Sequence, residues 1–415
     1  MSREPDRYDC VIIGGGPAGS TAATVLAQHG RRVAVVEREP FPRYHVGESL
    51  MPYTWFTFER LGVLDWFEQT ACPRKHSVQF VSTSGKVSQP FYFFETIKHD
   101  CATTWQVRRS DFDRMLLDNA RTHGADVHQG VTIREPLMDN ARVVGVRGDA
   151  ADGTSKTFHA DAVIDASGRD TFLASKLGWK KRDADLNKIA IFTYYAGAKR
   201  DPGLDEGATT VAYIPDKGWF WYIPLSDDSV SVGVVAEADY LYRDTRDPEA
   251  ILAREADACV WIKDHLAPGR RTEPVRVTGE FSYRAEEIGG DGFCLIGDAF
   301  SFLDPVFSTG VFMALKSGEM AADAVHVGLE KGAINAATFA DYGRDMRWAL
   351  DQFRQLVLSF YSQTFSFRDF LGTHPDLHSQ LVDALVGNVF ADLKPLFDAL
   401  QDFSVRASPT EPATR

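Results

Sequence analysis

The sequence predicts an α/β protein: a Rossmann-like nucleotide-binding domain, a second domain built on an antiparallel β-sheet, and a helical C-terminal region. Three observations predict it. A short apolar strand at Tyr8–Ile13 runs into a glycine-rich turn and then a helix-patterned segment. A strand-like, aromatic stretch occupies about Ile189 to Val235. From Gly310 onward the apolar residues recur at helical spacing.

The first unit is strand–loop–helix–strand. Small apolar residues repeat at helical spacing from Ala18 to His29, Gly30 ends that helix, and Arg32–Glu37 reads as the next strand. Glu39 to Pro52 is rich in Pro, Gly and Arg and reads as an irregular loop. Tyr53 to Trp66 is predicted helical; Arg74 to Ser84 and Thr103 to Val107 are predicted strands. Asp111 to Thr122 is a helix with Phe112, Met115, Leu116 and Ala120 on one face. Val143–Val146, Ala162–Ile164 and Phe293–Ile296 return as strands. Phe339, Tyr342, Met346, Ala349, Leu350, Phe353, Val357 and Phe360 mark a long amphipathic helix. The expected division is a discontinuous nucleotide-binding domain at 8–180 and 275–330, with part of 70–110 joining the second sheet. The sheet domain is 181–274 and the helical region 331–407. The first seven residues are expected to be frayed and the tail from Ser408 disordered.

Composition narrows the function. With 45 Lys+Arg against 58 Asp+Glu the net charge is −13, which disfavours nucleic acid or an anionic membrane as the main partner. Five scattered cysteines, Cys10, Cys72, Cys101, Cys259 and Cys294, form no CxxC pair. A disulfide framework or a metal site is not expected, and a reducing, cytoplasmic setting is. No apolar run approaches the ~20 residues of a membrane span.

Gly14, Gly16 and Gly19 fit G-x-G-x-x-G. The first glycine permits the tight turn, the second lets backbone approach a pyrophosphate, and the third lets helix and strand pack closely. The helix that starts beside Ala18 points free N–H groups at the anion. Glu37, at the end of the second strand, is placed to accept a hydrogen bond from a ribose hydroxyl. Gly297-Asp298, following a buried strand, is a second anion-contact arrangement.

GGGPAG at 14–19, VxRxxFD over Val107 to Asp113, DASGR at 165–169 and GDA at 297–299 resemble the FAD-dependent oxygenase fold of the p-hydroxybenzoate hydroxylase type. The resemblance covers most of residues 8 to 330. It implies FAD, with Glu37 at the adenosine ribose, Arg43, Ser49 and Arg109 near the cofactor, and Asp298 near the pyrophosphate or ribityl chain. Three further features resemble the flavin-dependent halogenases. Trp219-Phe220-Trp221-Tyr222-Ile223-Pro224 fits WxWxIP, a bulky flavin-adjacent segment. Phe302 to Gly310, with Pro305 and Ser308, fits FxxPxxSxG, whose backbone amides at Thr309 and Gly310 would hold a halide ion. Lys75, downstream of Gly47-Glu48-Ser49, fits the lysine that stands between flavin and substrate. An amine there can hydrogen-bond hypohalous acid or form an N–halogen bond. In the tryptophan-specific enzymes a glutamate precedes the serine of the second motif; here that position is Phe307.

The resemblance implies FAD reduced by a separate flavin reductase, with oxygen and chloride or bromide as co-substrates. The expected substrate is a small electron-rich aromatic, a phenol or pyrrole, free or tethered to a carrier protein. Glu48, His76 and His99 are candidates by type for the base that accepts the ring proton. Three alternatives stay open: an FAD-dependent aromatic hydroxylase, a geranylgeranyl-reductase-like flavoenzyme, and a non-catalytic flavoprotein.

Overall fold

Strand Arg7–Ile13 occupies the interior of the first sheet, where both of its faces are covered. The computed structural model describes residues 7–215, 218–279, 282–362 and 365–407. The tail from Ser408 predicted to be disordered, and the polar residues before Arg7, lie outside the described residues. The sheet runs Gly289–Gly290, Phe293–Leu295, Ser155–Asp165, Arg7–Ile13, Val33–Glu37, Asp126–Gln129. All neighbours are parallel except the first pair. Burial on both faces explains the unbroken apolar runs of the central strands: Cys10, Val11, Ile12 and Val33 to Val36 are all buried. Helix Pro17–Gln28 covers one face, and helices Arg109–Thr122 and Thr309–Glu330 pack against that helix.

One long strand, Val131–Asp139, escaped the sequence reading, and the predicted strand at 143–146 extends to Arg142–Ala150. The two form a hairpin whose second arm pairs with Ser155–His159. Their half-exposed, charged faces carry no continuous apolar signal. The predicted helix over 53–66 is two helices, Thr54–Leu61 and Leu64–Gln69, because the chain turns at Gly62 in the left-handed conformation. The predicted strand over 74–84 also breaks. Arg74–Lys75 pairs with Thr104–Trp105, while Ser77–Val81 crosses to the second sheet.

The second sheet runs Arg270–Arg271, Lys188–Ala196, Ser229–Glu237, Trp219–Pro224, Thr209–Tyr213, Ser77–Val81, Phe91–Tyr92. It is antiparallel except where Ser77–Val81 joins Thr209–Tyr213 in parallel. Arg276–Gly279 also pairs with Lys188–Ala196, so the second sheet reaches past the expected boundary at residue 275. Strand Trp219–Pro224 shows why this sheet has two apolar faces. Trp219, Trp221 and Ile223 face the main core, whereas Phe220 and Tyr222 pack with Ile251, Leu252 and Trp261 of the covering helices.

Helix Ala340–Tyr361 buries Tyr342, Met346, Ala349, Leu350, Phe353, Leu356, Val357 and Phe360, one stripe at 3.6-residue spacing. Phe353 is fully buried and meets the edge of Phe312 on helix Thr309–Glu330 at 6.4 Å. The C-terminal region therefore shares the main core. Phe353→Ala is expected to cost about 3–5 kcal/mol of unfolding free energy. Urea unfolding measures it; a loss under about 1 kcal/mol would mean that this helix is docked loosely.

Candidate active site

One cavity of about 1070 Å³ runs from the glycine loop to the start of helix Thr309–Glu330. At its first end stand Gly14, Gly16 and Ala18, with Glu37 and Arg38 beside them. Gly14 has φ +100°, and a Cβ there would lie 2.4 Å from the Ala166 carbonyl oxygen. A Cβ on Gly19 would lie 2.0 Å from the Gly14 oxygen. Gly19 does not line the cavity; it permits the contact that places the loop. The Glu37 carboxylate accepts from Gly15 N at 2.7 Å and Glu39 N at 2.8 Å, which aims it along the cavity wall.

The middle of the cavity is charged and closely held. Arg109 forks onto Asp113 at 2.7 and 3.0 Å and donates to the Val46 carbonyl at 2.5 Å. Arg43 lies 3.5 Å from the same Asp113 carboxylate. Both arginines line the cavity and share one fully buried counter-charge. Asp113 was not singled out in the sequence, although its i,i+4 spacing from Arg109 inside VxRxxFD was a signal. Asp298, in the turn Gly297–Ala299, also lines the cavity; burial raises its pKa to about 6 against the opposing charges of Arg109 and Arg169.

The far end carries the two halogenase-like motifs. Trp219, Trp221 and Ile223 line the wall, whereas Pro224 does not reach it and pairs with Val230 on the neighbouring strand. Opposite stand Pro305, Ser308, Gly310 and Val311. Asp304 accepts from Val306 N at 3.1 Å, and Ser308 takes a left-handed φ of +58° just before the helix. Thr309 and Gly310 are the first residues of that helix, so their N–H groups have no intrahelical acceptor. A Cβ on Gly310 would meet nothing within 4 Å, so this terminus opens onto free space. Gly310 lines the cavity, whereas Thr309 is buried and does not reach its wall; the helix dipole and the unpaired N–H groups of this first turn suit a small anion. Phe307, the residue before Ser308 in this motif, is buried against Phe360 and Phe367.

Lys75 is not on the cavity wall. Its amine is buried and donates to Ser49 Oγ at 2.8 Å and the Leu50 carbonyl at 3.1 Å, with the Phe93 ring 5.6 Å away. Desolvation lowers its pKa from 10.5 to about 7. Ser49 does line the cavity, so the lysine sits one hydroxyl behind it.

Of the three candidate bases, only Glu48 lies on the wall. His76 is half-buried within reach of Thr103, and His99 caps Cys101 N on an exposed turn. Glu48 is buried and accepts from the Tyr194 hydroxyl at 2.5 Å; its Oε2 has no hydrogen-bond partner among the described residues. Burial raises its pKa from 4.5 to about 7, with the Tyr194 hydrogen bond, the nearby Ser231 hydroxyl and the charges of Arg109 and Arg108 offsetting part of the cost.

A glycine-walled pyrophosphate cradle, a strand-end carboxylate, paired arginines and an unpartnered buried carboxylate oxygen together fit an extended dinucleotide with a polar ring system. These features define an FAD-binding protein, and the FAD binding domain family model matches residues 7–319. The 1H-pyrrole-2-carbonyl-(peptidyl-carrier protein) brominase of Pseudoalteromonas luteoviolacea is 33% identical over 92% of this chain and 92% of its own. The corresponding chlorinase of Pseudomonas fluorescens is 30% identical over 92% and 90%. The structure of the flavin-dependent brominase Bmp2 superposes with a TM-score of 0.87 at 31% identity, covering 96% of this chain and all of that one. The chain belongs to the flavin-dependent halogenases. Among the described residues no helix is long and apolar enough to cross a membrane.

Glu48 gives a testable consequence of the site's burial. Its folded pKa near 7 exceeds its ordinary 4.5, so the folded protein keeps a proton that the unfolded chain releases between those values. Stability of the cofactor-free protein therefore falls as pH rises through that window, by up to about 3 kcal/mol from this group. Asp298 and Asp304, both raised to about 6, act in the same direction. Glu48→Gln is expected to flatten the dependence between about pH 5 and about pH 7.5 in urea unfolding. An unchanged slope would contradict a carboxyl held protonated at Glu48.

Proposed function

We propose that this halogenase substitutes chlorine or bromine onto a pyrrole- or phenol-type ring presented on a carrier protein, with FADH2 supplied by a separate flavin reductase. The observation that carries the reading is the Lys75 amine, buried, poised near neutrality and reaching the cavity through Ser49. Two features support the substrate class. The relatives that match almost end to end are named for pyrrolyl groups on peptidyl carriers. Phe307 replaces the carboxylate expected of the tryptophan-specific enzymes.

The residues divide the work by position. Gly14, Gly16, Ala18 and Glu37 hold the adenosine and pyrophosphate half of FAD, and Arg43, Arg109 and Asp298 its centre. Bound reduced FAD with oxygen supplies the oxidising power that turns halide into hypohalous acid. The Thr309 and Gly310 amides hold the halide, and Trp219 and Trp221 wall off that end and exclude water. Enclosure matters because hypohalous acid released to solvent is lost to side reactions. Lys75 then orients the electrophile toward the ring. Glu48, the candidate base on the wall, accepts from the Tyr194 hydroxyl; on placement it is a better proton acceptor than His76 or His99, which do not line the cavity.

Purified protein given FADH2, oxygen, halide and a pyrrolyl- or hydroxybenzoyl-loaded carrier is expected to add one or more halogens, read by intact-protein mass spectrometry. Lys75→Ala is expected to abolish halogenated product while still binding FAD and releasing peroxide. Equal product from Lys75→Ala would overturn the role given to this lysine.

A further inference from the structure

The Ser49 hydroxyl that joins Lys75 to the cavity continues along the wall into a second hydroxyl, that of Thr209, which the halogenation reading does not use. Ser49 Oγ is 2.8 Å from Thr209 Oγ1, and both residues line the cavity. Gln106 Nε2 donates to Thr209 Oγ1 at 2.8 Å and to the Gly207 carbonyl at 2.9 Å. The Gly207 carbonyl can only accept, so it fixes the Gln106 amide with its nitrogen toward Thr209. Thr209, Gln106 and Ser49 are all buried.

The donors can then be counted. A Lys75 ammonium donates to Ser49, and Gln106 donates to Thr209. If Ser49 donates to Thr209, Thr209 accepts twice and its own proton is free. If Thr209 donates to Ser49, Ser49 accepts twice and its proton is free. In either arrangement one hydroxyl proton is left over, on a residue that lines the cavity, and it connects back to the lysine by hydrogen bonds of 2.8 Å.

We propose that Ser49 and Thr209 form a proton relay that carries a proton from the Lys75 ammonium into the cavity as halide is oxidised. The inference rests on the reading of Lys75 given above. Oxidation of halide needs such a proton. X− with one oxygen atom of O2 and one H+ gives HOX. The second oxygen atom leaves as water with the two electrons and two protons that reduced FAD brings. The relay couples two events that must follow in order. Passing the proton forward leaves Lys75 as a neutral amine with a free lone pair, the form that can receive halogen. Amine and HOX then give the N–X amine and water. Transfer of halogen to the ring carbon returns the neutral amine, with the ring proton in exchange, and one proton from solvent restores the ammonium. Because burial already brings the two forms of Lys75 close in energy near neutral pH, a short relay can shift it between them.

Thr209→Val keeps the shape of the side chain and removes the hydroxyl; Thr209→Ser restores it. Ser49→Ala interrupts the same chain at its other member. FAD absorbance and the unfolding midpoint report whether each variant is folded and loaded. The first readout needs no turnover: proton exchange of the Lys75 amine in the FAD-bound protein, followed by 15N-lysine NMR and assigned with Lys75→Arg. Exchange is expected to slow in Thr209→Val and in Ser49→Ala and to recover in Thr209→Ser. Halogenation by Thr209→Val is expected to fall on the order of 10²-fold, the lower range for a lost proton-transfer group. Wild-type exchange and wild-type turnover in Thr209→Val would overturn the relay and leave the Lys75 assignment standing. Full product from Lys75→Ala would overturn both.

Discussion

The backbone oxygens of Gly14 and Ala166 stand where a side chain on Gly19 or Gly14 would have to be. That contact lets helix Pro17–Gln28 press against the ends of strands Arg7–Ile13 and Ser155–Asp165, and everything downstream depends on it. It opens the cavity above the strand ends, turns the first amides of the helix toward that space, and brings Glu37 to its edge. Helix Thr309–Glu330 packs against Pro17–Gln28, so the placement of the first helix also sets where the N-terminus of the second one points.

The second sheet supplies the other wall, and its aromatic strand is tied to the turn Asp304–Ser308 by a buried polar chain. Trp219 Nε1 donates to the Tyr361 hydroxyl at 2.7 Å, and Tyr361 donates to Asp304 at 2.9 Å. Asp304 in turn caps Val306 N. A residue near the end of the long C-terminal helix thus joins the two motifs that face each other across the cavity. Two residues before this sheet's strand Ser77–Val81, the Lys75 amine is buried against Phe93 with two oxygen acceptors among the described residues. A charge taken out of water with so few partners is costly, which is why the amine sits near neutrality rather than remaining an ordinary ammonium.

What could be read in the sequence was what is local along the chain. The βαβ unit, the glycine loop, the Gly-Asp turn and the amphipathic stripe from Tyr342 to Phe360 each declare themselves within a few residues of spacing. The hairpin Val131–Ala150 showed only its short apolar segment at 143–146, because most of its residues are charged or half-exposed on a surface ribbon. The site residues divide in the same way. Lys75 was picked out by motif, but the sequence could not place it behind Ser49 rather than on the wall, since that follows from a strand pairing with Thr104–Trp105. Thr209, Gln106, Tyr194 and Tyr361 carried no motif at all. They matter only because sheet pairing and helix docking bring them to residues between about 60 and 160 positions away. Pro224 belongs to the motif by sequence, yet its place on the strand carries it past the cavity.

The central claim is that one cavity holds FAD, with its pyrophosphate at the glycine loop, and halide at the start of helix Thr309–Glu330, with Lys75 one hydroxyl away. A crystal structure of the FAD-bound protein soaked in bromide, with anomalous scattering recorded at the bromine edge, tests it most directly. The account predicts a bromide peak within hydrogen-bond distance of the Thr309 and Gly310 amides, the flavin ring beside Trp219 and Trp221, and Lys75 Nζ still on Ser49. Bromide bound elsewhere in the cavity, with those two amides turned to other acceptors, would contradict it.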